Sequence, residues 1–154
     1  MTVEQLTDAL RARFPDLSVR PVDTAPSATV EPGTLHGHLA FLRDELAFDM
    51  LVFMTAIDRP EQERLEAVYR LFCSEARASL MVRVVLPRRA ARVPTVSDIY
   101  RTAEWHEREA AEMFGIEFEG HPDPRRLLLP DDLEGHPLLK DFTHPNLRRL
   151  PETA

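Results

Sequence analysis

The chain has 154 residues, 44% of them apolar, which is enough for one domain with its own core and too little for two. With 19 basic against 26 acidic side chains its formal charge is −7, which argues against nucleic acid or an acidic membrane surface as a partner. The single cysteine, Cys73, excludes an internal disulfide and supplies too few thiolates for an iron–sulfur cluster.

The N-terminus carries Glu4 and Asp8 and no apolar run after a basic start, so a secretory leader is not expected. Thr2 is placed to cap a first helix with Gln5 as its capping-box partner. Val3, Leu6, Leu10 and Phe14 continue as a helical stripe ending at Pro15. Residues 17–22 and 28–31 read as short strands. After Pro32-Gly33, Leu35, Leu39, Leu42 and Leu46 form the stripe of a second helix. Residues 49–57 are a continuous apolar strand, and Asp58-Arg59-Pro60 turns the chain toward a partner strand at 66–73, where Cys73 is expected as a buried structural thiol. In a third strand, 79–86, Leu80, Val82, Val84 and Leu86 alternate with Met81, Arg83 and Val85. Short connections between these three strands imply an antiparallel meander. No apolar stretch approaches the ~20 residues needed to span a bilayer.

Pro94 and the caps Thr95 and Ser97 lead into a charged helix near 98–114. Glu104, Arg108 and Glu112 fall at i, i+4 and i+8 and are expected to form a salt-bridged ladder on one face. Gly115 stands where a left-handed glycine ends a helix, and Ile116 and Phe118 alternate with Glu117 and Glu119 in a short extended segment. Beyond Gly120 come six of the chain's 13 prolines, at 122, 124, 130, 137, 145 and 151, which excludes a long helix or a central strand. This region also holds Leu127, Leu128, Leu129, Leu133, Leu138, Leu139 and Phe142, too much apolar surface to leave in water. The expected organisation is an α+β two-layer domain over residues 1–119, with a mixed or antiparallel sheet and helices on one side. An extended proline-rich arm over 120–154 then lies on its own domain or on a neighbour.

Chemistry is harder to find. His106-Glu107 begins a zinc-protease H-E-x-x-H pattern, but Ala110 stands where the second histidine belongs. Glu109 and Glu112 at i, i+3 could share a metal, yet the Glu-x-x-His pairs of a di-iron site are missing. His121 and His136 each lie between glycine and proline, with only His144 near them, and fit hydrogen bonding in a packed turn better than metal ligation. Tyr69 and Trp105 read as core or interface aromatics. Five glycines, at 33, 37, 115, 120 and 135, form no phosphate loop, and no nucleophile–base pair stands out. A free-standing metal-dependent hydrolase remains the competing reading.

Residues 107–128 resemble the signature of the 30-kDa subunit family of respiratory complex I, the proton-translocating NADH:quinone oxidoreductase. The matching positions are Glu107, Arg108 and Glu109, then Glu112, Met113 and Phe114, then His121, Arg125, Leu127 and Leu128. The likeness continues through Glu134-Gly135-His136-Pro137 to Lys140 and Asp141, and reaches upstream through Ala56-Ile57-Asp58 and Val68-Tyr69-Arg70-Leu71. Leu139 stands where the family has arginine, and Ala110-Ala111 replaces bulkier residues. The resemblance implies a subunit without a catalytic, cofactor or metal site of its own. It would sit peripherally on the cytoplasmic side of the cell membrane, beside the hydrogenase-like large subunit that holds the quinone site. The small subunit with the terminal iron–sulfur cluster would lie nearby, with clusters and FMN held by partners. It further implies that Glu107, Arg108, Glu109, Glu112, Phe114, His121, Arg125, Arg126, His136, Lys140 and Asp141 serve the subunit interface. Members of the same family also occur in membrane-bound hydrogenases, formate hydrogenlyases and ferredoxin- or F420-dependent dehydrogenases.

Overall fold

Residues 3–15 and 25–147 are described by the structure, a computed structural model. Helix α1 (Val3–Arg13) is followed by strand β1 (Ser27–Val30) and helix α2 (Leu35–Leu46). Strands β2 (Met50–Arg59), β3 (Arg64–Cys73) and β4 (Ala78–Pro87) come next, then β5 (Arg92–Pro94), helix α3 (Ala103–Phe114) and β6 (Glu117–Glu119). The strand expected at 17–22 and the Thr2 cap lie outside the described residues.

Strands β2, β3 and β4 pair antiparallel, as their short connections require, and β1 adds to β4 in parallel. The sheet is therefore mixed, in the order β1-β4-β3-β2. The alternation read in β4 is the alternation that decides its layers. Leu65, Ala67, Tyr69 and Leu71 of β3 stand opposite Leu86, Val84, Val82 and Leu80 of β4, and all are buried against the helices. Leu35, Leu39, Leu42 and Leu46 of α2 are buried over that face, as the i, i+4 spacing requires, and Cys73 is a buried free thiol. In β2 the register shifts between Leu51 and Phe53, which keeps Leu51 and Met54 in the core while Val52 turns outward. Helices cover one side of the sheet. The other side carries Arg59, Arg64, Arg70 and Arg83.

Two expectations change. The third helix begins at Ala103 rather than near 98, because residues 97–102 form turns in which Ile99 and Tyr100 both donate to the Val96 carbonyl. Thr95 and Ser97 consequently do not cap it. Residues 92–94, flanked by loops, form β5 and pair in parallel with β6, a second small sheet that no local pattern announced. From Gly120 to Leu147 the chain has turns but neither helix nor strand. No helix among the described residues is long and apolar enough to cross a membrane.

Candidate functional site

The signature residues converge where α3 meets the segment that follows it, and each of the three charged residues in Glu107-Arg108-Glu109 goes a different way. Ala103, Glu107, Ala110 and Phe114 form the buried stripe of α3, so a carboxylate occupies the middle of an apolar face. Glu107 is 0% exposed. Its Oε1 accepts the Val96 N–H at 2.8 Å and its Oε2 accepts the Thr95 hydroxyl. Burial pushes this carboxyl above the usual glutamate range, against the pull of those two hydrogen bonds. Tyr69 lies in the same interior, its phenol raised by burial first and by the Glu107 charge second. Glu109 points to solvent.

Arg108 corrects the expected ladder. It pairs with neither Glu104 nor Glu112 among the described ion pairs. Its Nε and Nη2 donate at 2.9 Å to the carbonyls of Arg125 and Arg126, Nη1 stands 3.5 Å from Asp123, and the guanidinium lies over the Trp105 ring. The reason is valence. Glu112, the expected partner, is already occupied by the backbone N–H groups of Leu127, Leu128 and Leu129, at 3.0, 2.8 and 3.3 Å. A fork-shaped donor meets two successive carbonyls, and a two-oxygen acceptor meets three successive amides. Burial acts to raise the Glu112 pKa, but the three amide hydrogen bonds together hold it below the ordinary value.

Both histidines act as spacers that read helix carbonyls. His121 accepts the Asp123 N–H at Nδ1 (3.0 Å), which leaves the proton on Nε2 for the Glu104 carbonyl, also at 3.0 Å. Its side chain is 3% exposed and lies 3.8 Å from Glu107. His136 donates from Nδ1 to the Glu112 carbonyl at 2.8 Å, and the Leu138 N–H takes the Met113 carbonyl at 3.0 Å. Two of the orphan carbonyls that end α3, those of Glu112 and Met113, are thus satisfied by residues more than twenty positions later. Gly115 allows this twice over. Its φ is +77°, and a Cβ there would lie 2.7 Å from the His136 ring.

A second anchor was not legible in the local sequence. Asp58, 3% exposed at the end of β2, receives Arg88 Nε and Nη2 at 2.8 and 2.9 Å and the Lys140 N–H at 2.8 Å. Arg88 also grips Asp141 at 2.6 Å. Hydrogen bonds from Arg88 hold Asp58 below the usual aspartate range, and Asp58 and Asp141 in turn raise Arg88. An aspartate ending an apolar strand, with an arginine just past β4, was the available signal. Of the remaining signature residues, Phe114 is in the core. Arg125 is exposed and paired with Asp123, while Arg126 donates within its own loop to the carbonyls of Pro130 and Leu133. Lys140 contributes its backbone N–H.

The arrangement fixes backbone to backbone. Its acceptors and donors are consumed holding residues 121–141 to α3 and to the sheet edge. Among the described residues, no group of three or more His, Cys, Asp or Glu side chains is placed to hold a metal ion. The family model described as respiratory-chain NADH dehydrogenase, 30 Kd subunit, matches residues 28–149.

The chain belongs to that family. It is 39% identical over 140 residues to a subunit of the NADH-quinone oxidoreductase of Moorella thermoacetica, covering 91% of this chain and 95% of that one. It is 32% identical over 146 residues to a subunit of the F(420)H(2) dehydrogenase of Methanosarcina mazei, covering 92% of each. Other curated relatives are longer, and the chain spans about half of their length. Among solved structures it matches a chain of the membrane-bound sulfane sulfur reductase, an archaeal respiratory membrane complex. That match has TM-score 0.80 at 29% identity, covering 91% of this chain and 85% of that chain.

Proposed function

We propose that this family member is a structural subunit, binding no cofactor itself, in the hydrophilic arm of a proton-translocating NADH:quinone oxidoreductase. It sits peripherally on the cytoplasmic side of the cell membrane and docks on the hydrogenase-like large subunit through residues 120–150. Partner subunits carry the FMN and the iron–sulfur clusters, including the terminal cluster of the small subunit beside it.

One observation carries this reading. The amides of residues 127–129 and 140 and the rings of His121 and His136 bind the segment to the chain's own domain, while Leu128 and Leu138 remain 62% and 51% exposed. A segment rigidly anchored by its backbone with leucines held outward has little ordering entropy left to lose when a partner covers it. The test is co-purification. Leu128→Asp with Leu138→Asp, and separately deletion of residues 121–154, should remove the chain from complexes isolated through the large subunit. Normal assembly of the Asp variant would reject the segment as docking element.

A second reading puts the same subunit in a relative of F420H2-oxidising or sulfane-sulfur-reducing complexes. It is favoured by the near full-length match to the Methanosarcina mazei protein. NADH- and F420H2-dependent activities of the isolated complex separate the two.

A further inference from the structure

The helix-free face of the sheet carries a charge pattern that the docking segment does not use. Cross-strand pairing places Arg59 beside Arg64, Arg70 beside Met81, and Arg83 beside Val68 and Thr29, so all four arginines share this face. Among the described residues, the carboxylate that these strands place beside them is Glu66, 6% exposed, flanked by Ile57 and Val85. On a chain of formal charge −7, this is a local excess of cations.

Glu66 satisfies only part of that excess. Arg64 Nη2 donates to it at 2.7 Å, whereas Arg59 and Arg83 stand off at 3.5 and 3.6 Å. The Nε atoms of Arg64 and Arg70 are buried without a hydrogen-bond partner. Each guanidinium offers five donors, and a buried donor left unmade is costly. Between Arg59, Arg64 and Arg83 lies a shallow cavity of about 450 Å³, lined also by Thr29, Glu66 and Val85.

We propose that this face is a second docking surface, which receives a carboxylate-rich, partly apolar stretch of another subunit of the assembled complex. The inference rests on the proposed membership of such a complex. Charge complementarity selects the occupant. Arg64 and Arg83 converge from either side on the two oxygens of Glu66, so carboxylates two residues apart on one extended segment, about 7 Å, can each meet a guanidinium fork. Val85, 40% exposed, and partly exposed Met81 and Ile57 give the same segment an apolar strip to cover.

The experiment uses the intact purified complex with benzoylphenylalanine introduced at position 85. Irradiation should link this chain to an Asp/Glu-rich peptide of one other subunit. Arg83→Glu combined with Arg64→Glu should lower the yield about tenfold or more, and introducing arginine at the mapped acidic positions should restore it. Arg83→Gln, which adds no repulsion to Glu66, should lower the yield by a smaller factor with an unchanged thermal melt, separating lost recognition from lost folding. Crosslinks only to lipid, only within this chain, or to a partner peptide without acidic residues would overturn the proposal, as would a yield indifferent to the arginine substitutions. Absence of the unsubstituted chain from the complex would instead overturn the proposed function.

Discussion

Glu107 and Glu112 lie five residues apart on one helix, are both buried, and hold backbone amides, yet they do opposite things. Glu107 closes the domain on itself, gripping Val96 and Thr95 only 11 and 12 positions earlier in the chain. Glu112 closes the following segment onto the domain, gripping residues 127–129. The first is sealed from water and sits above the ordinary glutamate pKa; the second keeps enough amide donors to sit below it. A buried carboxylate is thus not one kind of object. What matters is whether its hydrogen bonds outweigh its desolvation, and which pieces of chain they join.

The comparison breaks most visibly at Glu107. Glu107→Ala leaves the buried Val96 N–H without an acceptor, turns the Thr95 hydroxyl over to Ser97 Oγ alone and opens a void in the α3 stripe, for an expected loss of about 3–5 kcal/mol in chemical denaturation. Glu107→Gln keeps the carbonyl acceptor for Val96, and the Thr95 hydroxyl can rotate to accept from the new amide, so most of the stability should return. Equal losses for both variants would mean that the charge itself, rather than the hydrogen bonds, holds the β5–α3 connection.

Glu112 should fail locally. Glu112→Ala strips the acceptor from three amides of a partly exposed loop, at about 2–3 kcal/mol, and the loss should appear as faster hydrogen exchange at Leu127, Leu128 and Leu129 with a smaller change in global melting. Acid separates the two sites without mutation. A depressed carboxyl binds fewer protons folded than unfolded, so the stabilisation from Glu112, and likewise from Asp58, is present above the unfolded pKa and lost as pH falls through the folded one. For Glu107 the sign reverses: its folded form holds the proton more tightly, so its contribution is full below the unfolded pKa and declines as pH rises through the folded pKa. On acidification, protection at residues 127–129 should therefore fall before the β5–α3 region opens. Simultaneous loss would contradict two independent anchors.

The same pair shows what a sequence can and cannot disclose. The core layers were legible because period 2 in β4 and period 3.6 in α2 each put apolar side chains on one face, and the fold requires nothing else there. The fate of charged residues on α3 was not. Glu104, Arg108 and Glu112 have the spacing of a surface ladder, and helical spacing says which residues are neighbours but not which already have better partners. The register of Ala103, Ala110 and Phe114 puts Glu107 on the apolar stripe, a signal present in the sequence but masked by the charge spacing of Glu104, Arg108 and Glu112. Asp58, Lys140 and Asp141 lay in the stretches that carry the resemblance, but their meeting through Arg88 was not readable, because it joins positions up to 82 residues apart. Gly115 was readable as a left-handed helix end, but not as the floor on which His136 rests.

Arg108 offers the finest test, because it belongs to the Glu112 side of the comparison while its spacing placed it in a surface ladder. Its side chain is 10% exposed, and its two hydrogen bonds go to neutral carbonyls that can turn to water if released. Arg108→Ala should therefore cost about 1–2 kcal/mol, less than two fully buried charge-assisted bonds would, because the freed carbonyls are rehydrated rather than orphaned. The loss should be confined to residues 121–129 in hydrogen exchange, with Trp105 fluorescence changing as its cation is withdrawn. Arg108→Lys keeps a charge near Asp123 but cannot fork to two successive carbonyls, so it should recover less than half of the protection. Full recovery by lysine would show that the Asp123 ion pair is the whole interaction. A lowered melting point of the domain core, with residues 121–129 unaffected, would return Arg108 to the ladder with Glu104 and Glu112.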